Sequence, residues 1–525
     1  MAGIVTETKR RLLIGKDIKE VQVPTNTLDT SLYLSDLASV GATFNSSRIA
    51  SELGALPAVV KQNASLALIA DTYKTGAVYA INGDTKSLEE LNFERGSSAT
   101  YEDANGNIVL ASANVPRINY RNGVLQGWLV EPASTNLFLD SGVAKGLDSL
   151  QVKSSVGLSA GSSGFNLGSL LTNSVTIARD SSVTTYAYKK PNVALVAGKL
   201  YTFSFFCRLS DGSAPTIDDM RVLSPGEAHD TFNFVHYGNG VYRYIITFSS
   251  YESPSYDWAT PSLGVYKLSL FSDKSITVSG FQLEEGSYAT SYIPTTTAIA
   301  TRLADKISTK RPTVVFNKNS MYVKTSEYPD VWFGNGVDGL NISGRNYASL
   351  SNIKEYVGGM LEKPVSYTVD GSKVTATNQP TDSSVIGFKI PTKGNKSICI
   401  SFKSDTLNTA VTYRRYFGEN GVALSEQIFG EMSKNGNIFR LKIDGTSVPA
   451  GSAYFNIGLG NTSISNYSVY DISIVYSDDF VDYKPAPEDY IKINDNGNIE
   501  ISYTEPIHIQ QFALISRELS QEEVG

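Results

Sequence analysis

Residues 201–208 read YTFSFFCR, with Tyr201, Phe203, Phe205 and Cys207 alternating against Thr202, Ser204 and Arg208. Side chains of a strand point to opposite faces with a period of two, so this run specifies a strand with one buried face. Residues 242–248 repeat the pattern, with Tyr242, Tyr244, Ile246 and Phe248 sharing a face. Similar runs occur in SVTIARD, TYAYKK, TFNFVHY, VYKLSLFSD and SITVSGFQLE. Gly, Asn, Asp and Ser separate them at intervals of roughly 8–15 residues, the spacing of a sandwich or jelly roll rather than of strand–helix–strand units.

A chain of 525 residues is too long for one core, and about three or four domains are expected. Residues 1–110 are richer in Ala and Leu and predict short helices mixed with strands, with Pro57 breaking any helix that reaches it. Asn105-Gly106 and Asn122-Gly123 are tight-turn signals that predict two hairpins. Residues 346–490 resemble a diverged copy of the first sandwich. GNKSICISFKSD parallels GKLYTFSFFCRLSD, GNIFRLKIDG parallels NGVYRYIITFS, and SAYFNIGLGNTSISNYSVYDISIVYSDDFVDYKPAP parallels YKLSLFSDKSITVSGFQLEEGSYATSYIPT. The predicted fold class is mainly β: two tandem β-sandwich (jelly-roll) domains after a smaller mixed α/β N-terminal region. The boundaries fall at 1–110, 111–305, 306–345 (a connector) and 346–525, the last with a closing strand and a helical turn capped by Ser520 and Glu523.

The charge is −7 and the densest basic cluster is Lys9-Arg10-Arg11, so no cationic track for a nucleic-acid partner is present. His229, His236 and His508 are the only histidines, and no Gly-x-Ser-x-Gly elbow, HExxH, CxxC or phosphate-cradling glycine loop occurs. His236 is expected as a half-buried structural residue and Trp128 as a core residue. Cys207 and Cys399 lie in strand-like runs and are expected as buried free thiols. DANGN (103–107) and NDNGN (494–498) look like calcium turns but are explained by hairpin chemistry. No cofactor and no metal are expected. No apolar stretch approaches the ~20 residues of a membrane span, and no apolar signal-peptide core follows Met1. Synthesis in a cytoplasm without membrane insertion is expected.

Sugars are gripped by exposed aromatic faces beside amides, carboxylates or guanidiniums. The loop 249–262 carries Tyr251, Tyr256, Asp257 and Trp258 among Ser and Pro, and these four are the candidate carbohydrate-binding residues, with packing as the competing role. Tyr328 and Trp332 form a weaker candidate or an intersubunit contact. Glycoside hydrolysis needs two carboxylates about 5–10 Å apart. Asp and Glu are frequent enough for distant positions to supply such a pair, although no β-helix repeat accompanies them.

Three segments carry a family resemblance: NVPRINY (114–120), LVEPASTNL (129–137) and QLEEGSYATSYIPTTTAIATRLAD (282–305). They resemble parts of a jelly-roll module of bacteriophage tail and fibre proteins, and FERGSSATYEDANGNIV resembles the segment that precedes it. The stretch IQQFALISRELSQEEV resembles the closing strand of laminin-G-like and related phage sandwiches. The resemblance implies a virion fibre, tail-tip or decoration protein, not an enzyme. It implies a homo-oligomer, with a trimer favoured, docked to other virion proteins through its N-terminal region and meeting host cell-surface glycans through its jelly rolls. A polysaccharide-degrading virion enzyme and a purely structural head or tail decoration protein are the alternatives.

Overall fold

The 201–208 pattern becomes strand Leu200–Leu209, at the heart of a six-stranded antiparallel sheet in this computed structural model. The structure describes residues 6–515 except 15–16, 26–29, 83–87, 153–157, 162–164, 179–185, 190–192, 230–232, 250–262, 267–273, 311–319, 327–330, 335–347, 349–353, 363–366, 377–384, 393–395, 461–465, 481–490, 494–497, 502–505 and a few single or paired positions between them. In spatial order the sheet runs Leu158–Gly161, Ser174–Ile177, Ile276–Glu285, Leu200–Leu209, Tyr242–Ser249, Asn233–His236. The second sheet of the sandwich runs Gln151–Val152, Tyr186–Lys189, Leu263–Tyr266, Arg221–Ser224, Glu227–His229. Phe203, Phe205, Tyr244 and Phe281 meet in the core, with the Phe205 ring 5.0 Å from Tyr244 and 5.6 Å from Phe281.

The second sandwich repeats this architecture. Its first sheet runs Tyr367–Asp370, Lys373–Ala376, Tyr467–Tyr476, Ile398–Lys403, Ile438–Ile443, Ser433–Asn435. Its other sheet runs Met360–Glu362, Lys354–Val357, Val385–Pro391, Tyr454–Gly460, Val411–Phe417, Ile428–Glu431. Counted along the described residues, strands of the same rank occupy the same places in both sandwiches, with Met360–Glu362 the one extra edge strand among them. GKLYTFSFFCRLSD and GNKSICISFKSD fall on equivalent strands, as do NGVYRYIITFS and GNIFRLKIDG, while YKLSLFSD beyond Tyr266 lies outside the described residues. Both central pairings also slip at the same point, between Ser204 and Phe206 and between Ser401 and Lys403. The bulged partner residue has a left-handed backbone in each case, Gly280 at φ 63° and Asp471 at φ 54°. Two sandwiches with one strand order and one bulge support a duplicated unit.

Sheet membership departs from the expected boundaries. Ala64–Ile69, Ala77–Asn82 and Leu88–Glu94 share one eleven-stranded sheet with Ile118–Arg121, Val124–Val130, Lys306–Lys310, Ser320–Thr325, Val331–Gly334, Ile491–Ile493, Asn498–Ile501 and Ile507–Ile515. The expected connector and the closing strands assigned to the second sandwich therefore belong with the N-terminal region. The cause is strand Ile507–Ile515, which pairs with Ala64–Ile69, Ser320–Thr325 and Val124–Val130. Each sandwich is an insertion between strands of this sheet. The first has its entry and exit zipped together where Ser134–Asn136 pairs with Ala300–Arg302. Helices Thr30–Ser39, Ser46–Ala55 and Ala58–Asn63 cover the sheet through Tyr33, Leu37, Ile49, Leu53 and Val60. The middle helix is capped by Asn45, whose side chain accepts the Arg48 N–H at 3.1 Å. As expected, no helix runs through Pro57: the second helix ends at Ala55 and the third begins at Ala58, with Pro57 as its N-cap, where its missing N–H costs nothing. No helix among the described residues is long and apolar enough to cross a membrane.

Strand Leu200–Leu209 differs from its one-faced pattern, because Thr202, Ser204 and Phe206 are also buried. Phe206 packs into a second cluster with Ile108, Phe165, Leu167, Tyr237 and Tyr292, so the polar face of the strand is roofed by the segment around hairpin Ala99–Glu102/Ile108–Ala111. The predicted turns are present. Asn122 and Gly123 take φ values of 52° and 75° between Arg121 and Val124, and Asp103 Oδ1 accepts the N–H groups of Asn105 and Asn107 at 2.9 Å. Strands Ile491–Ile493 and Asn498–Ile501 pair as a hairpin around 494–497.

Gly127 lets strand Val124–Val130 close on strand Ile507–Ile515. Its φ is 137°, and a Cβ there would lie 2.7 Å from the Ile509 carbonyl carbon. Gly127→Ala is expected to cost at least about 1–3 kcal/mol and to raise amide exchange across strand Ile507–Ile515, read by hydrogen-exchange mass spectrometry.

Candidate functional site

Where the roof meets the first sandwich, three arginines and two carboxylates are buried together. Arg95 follows strand Leu88–Glu94, Arg117 precedes strand Ile118–Arg121, Glu131 follows strand Val124–Val130, and Arg302 and Asp305 lie at the sandwich exit. All five are 1% exposed or less. Arg117 donates to Glu131 Oε2 at 2.6 Å and to Asp305 Oδ2, while Arg95 donates to Asp305 Oδ1 at 2.9 Å. Arg302 lies 3.5 Å from Glu131 and 3.9 Å from Asp305. The backbone joins in: Glu131 N–H donates to Asp305 Oδ2 and Asp305 N–H to the Glu131 carbonyl, both at 2.9 Å.

Three cations against two anions leave one positive charge in excess, and backbone carbonyls absorb it. Arg95 donates to Ser97, Ser112 and Val115, Arg117 to Thr100, and Arg302 to Pro132. Burial would push the Glu131 carboxyl up. Arg302, Arg117 and the Ser291 donors outweigh it and hold the group at about 2. Burial and repulsion by Arg117 draw the Arg95 guanidinium below its ordinary value. Beside this cluster, Asn136 donates to the Phe281 and Ile293 carbonyls and accepts from Phe138 and Leu283, so four backbone groups close on one amide. Gln282 accepts from Ile293 at 2.6 Å and donates to Ser291 at 3.2 Å.

A cavity of about 120 Å³ adjoins the clamp, lined by Glu102, Asn119, Arg121, Glu131, Tyr237, Arg243 and His508 among others. Glu102 accepts the Asn122 N–H at 2.8 Å and lies 2.9 Å from Arg121 Nε; burial raises its carboxyl despite that cation. Arg121 covers the Tyr237 ring at 4.0 Å. Asn119 Oδ1 accepts the Glu102 N–H at 2.8 Å, so its amide nitrogen faces His508 Nε2 at 2.8 Å. Nε2 is then the acceptor and the ring proton sits on Nδ1.

Two carboxylates pushed in opposite directions in one cavity is the arrangement of an acid/base pair. The hydrogen bonds argue against that use. Glu131 Oε1 accepts from Ser291 N–H at 2.6 Å, and Oε2 accepts from Arg117 and from Ser291 Oγ at 2.7 Å, so three of the carboxylate's about four acceptor sites are already taken by the protein. The volume matches about four waters and falls well below the several hundred Å³ of small-molecule pockets. No group of His, Cys, Asp and Glu that could hold a metal occurs among the described residues.

The sequence candidates fare unevenly. Tyr251, Tyr256, Asp257 and Trp258 lie outside the described residues, as do Tyr328, Ser520 and Glu523. Trp332 sits in strand Val331–Gly334 opposite Tyr322. Trp128 is fully buried, as expected. Cys207 and Cys399 are buried and free. His236 is exposed rather than half-buried, its ring 4.8 Å from Tyr242. The clamp was not anticipated, although four of its five charges lie in or beside the three segments singled out for their resemblance.

No family model matches the chain, and no curated protein matches it. Among solved structures, it is similar to the N-terminal CBM22-1–CBM22-2 tandem domain of Paenibacillus barcinonensis Xyn10C at 10% identity and a TM-score of 0.23, over 67% of this chain and 98% of that one. It is similar to the enzymatically active domain of bacteriophage CBA120 tailspike protein 4 at 13% identity and a TM-score of 0.20, over 26% of this chain and 22% of that one. The ANXUR2 extracellular domain of Arabidopsis thaliana matches at 10% identity and a TM-score of 0.16, over 64% and 92% of the two chains. These scores are too low to bear on function.

Proposed function

We propose that this chain is a non-enzymatic structural protein of a bacteriophage particle, a fibre or surface-decoration component that displays two β-sandwich modules for attachment to host-surface glycans. The observation that carries the proposal is the origin of the clamp. Arg117 comes from 114–120, Glu131 from 129–137, and Ser291, Arg302 and Asp305 from 282–305, the three segments that resemble phage jelly-roll modules. The likeness thus rests on residues that fix a sandwich rigidly to its carrier, which is a mechanical role. Two sandwiches inserted from one sheet suit display, and the N-terminal region is assigned to docking on other virion proteins in a homo-oligomer. Glycan contact is assigned to Tyr251, Tyr256, Asp257 and Trp258.

The test is a glycan array probed with the full chain, followed by Trp258→Ala. Loss of one stacking ring is expected to lower retention about tenfold. The competing reading is a polysaccharide-degrading enzyme, favoured only by Glu102 and Glu131 sharing a cavity. Turnover of capsular polysaccharide by the purified chain, abolished by Glu102→Gln, would replace the adhesin with that enzyme.

A further inference from the structure

Strands Val385–Pro391, Tyr454–Gly460, Val411–Phe417 and Ile428–Glu431 lie side by side in the second sandwich. Phe388, Phe455, Ile457 and Tyr416 belong to its core. Alternation gives the opposite face of the sheet to the residues between them. The register sets these out in rows. Tyr454 lies opposite Phe417, Asn456 stands between Lys389 and Arg415, and Gly458 stands between Gly387 and Tyr413, with Phe429 beyond Tyr413.

The rows differ in chemistry. The half-buried Tyr454 stacks on Phe417 at 5.1 Å, and Tyr413 meets Phe429 edge to face at 5.6 Å, with Phe429 53% exposed. Between these aromatic rows runs a polar one, in which Asn456 is 5% exposed and Lys389 fully so by class. Lys389 Nζ lies 4.1 Å from the centre of the Tyr454 ring, and Arg415 Nε donates to the Ser425 carbonyl at 3.1 Å. Neither cation meets a carboxylate among the described residues, although the chain carries a net charge of −7. Glu431, the acid on this face, stands two rows away on the edge strand. Gly387 and Gly458 face each other in the floor of the third row. Glycine inside a strand marks a bulge or a close approach of a ligand or another backbone. The register is unbroken on both sides of Gly458, so no bulge accounts for the pair.

We infer that this face of the second sandwich is a binding site for an acidic polysaccharide, one whose sugars carry carboxylates. Tyr454 and Phe429 offer rings to sugar C–H faces, and Lys389 and Arg415 supply charge-assisted donors to the carboxylates. The two cations stand two strand spacings apart, about 10 Å. They therefore meet different acidic residues of one polymer rather than a single carboxylate. A neutral glycan would use the rings and leave both cations without a counter-charge. A bare polyanion would use the cations and leave the rings idle. The inference rests on the glycan-attachment reading and narrows it, since it gives the second sandwich a site of its own, apart from the 249–262 loop, and fixes the charge of its ligand.

The test presents the full chain with galacturonate, glucuronate and sialate oligosaccharides, each beside its methyl ester, and with a single-stranded DNA oligonucleotide as a polyanion without sugar carboxylates. At least one acid is expected to be held about tenfold tighter than its ester, by a margin that shrinks as salt is raised. Lys389→Gln with Arg415→Gln is expected to abolish that preference, with the denaturation midpoint as the check on folding. Lys389→Gln alone, at an exposed position, is expected to reduce it about threefold, and Arg415→Lys to retain it. Trp258→Ala is expected to leave it unchanged. No acid preferred over its ester, DNA held as tightly as the acids, or a preference that survives the double variant would overturn the inference. Neutral glycans retained without any preference for acids would sink it and leave the attachment reading standing, whereas binding of no glycan at all would sink both.

Discussion

Replacing Asp305 by Ala is expected to destabilise the joint between the roof and the first sandwich by about 3–5 kcal/mol. Asp305 accepts from Arg95, Arg117 and the Glu131 N–H, so its removal leaves three buried guanidiniums facing one carboxylate. Those cations are 1% exposed or less, so bulk solvent does not replace the lost carboxylate. The chemical-denaturation midpoint should fall, with raised exchange concentrated at 95–131 and 282–305. Asp305→Asn keeps acceptor oxygen but loses the charge, and should fall between the parent and the Ala variant. An unchanged midpoint for Asp305→Ala would mean that the clamp contributes no net stability. Acid should act on the same joint. The Glu131 carboxyl is held at about 2 in the folded state, below its unfolded value of about 4.3. Its contribution is therefore complete above about pH 4.3 and is lost as pH falls toward 2. Glu131→Gln should flatten that part of the stability–pH curve.

How much of this could be read from residues alone follows from range. Period-two runs at 201–208 and 242–248 became strands with the expected face in the core. The Asn122-Gly123 turn needed only two residues to announce itself, because left-handed backbone is tolerated by few side chains. Pairing of Ala64–Ile69 with Ile507–Ile515 left no such trace. Alternation specifies that a strand exists and which face is buried, not which distant strand adopts it, so the carrier sheet was divided among all four expected segments. The clamp was hidden for a related reason. An arginine in a strand run reads as solvent-facing, and only the meeting of 95, 117, 131, 302 and 305 supplies the partners that allow burial. The buried amides Asn136 and Gln282 follow the same rule. The aromatic loop 249–262 stood out by composition, and its geometry lies outside the described residues beyond Ser249.

Phe205→Ala and Phe402→Ala are expected to act on different unfolding transitions. The two residues hold the same place beside the shared bulge, and both are 1% exposed or less. Phe205 lies among the rings of Phe203, Tyr244 and Phe281, at 5.3, 5.0 and 5.6 Å. Phe402 stacks on Phe439 at 5.2 Å, with aliphatic side chains such as Ile400 and Ile472 in the same core. Truncating a buried Phe removes its transfer free energy and leaves a cavity, together about 3–5 kcal/mol. The two cores share no buried residue, so each loss should stay with its own sandwich. Exchange mass spectrometry in denaturant should show Phe205→Ala opening 200–285 first and Phe402→Ala opening 385–476 first, with additive effects in the double variant. If either substitution lowered both regions together, the sandwiches would be one cooperative unit. Separate transitions would mean that a duplicated module kept its own stability after insertion into the carrier sheet, so that one sandwich could diverge without unfolding its neighbour.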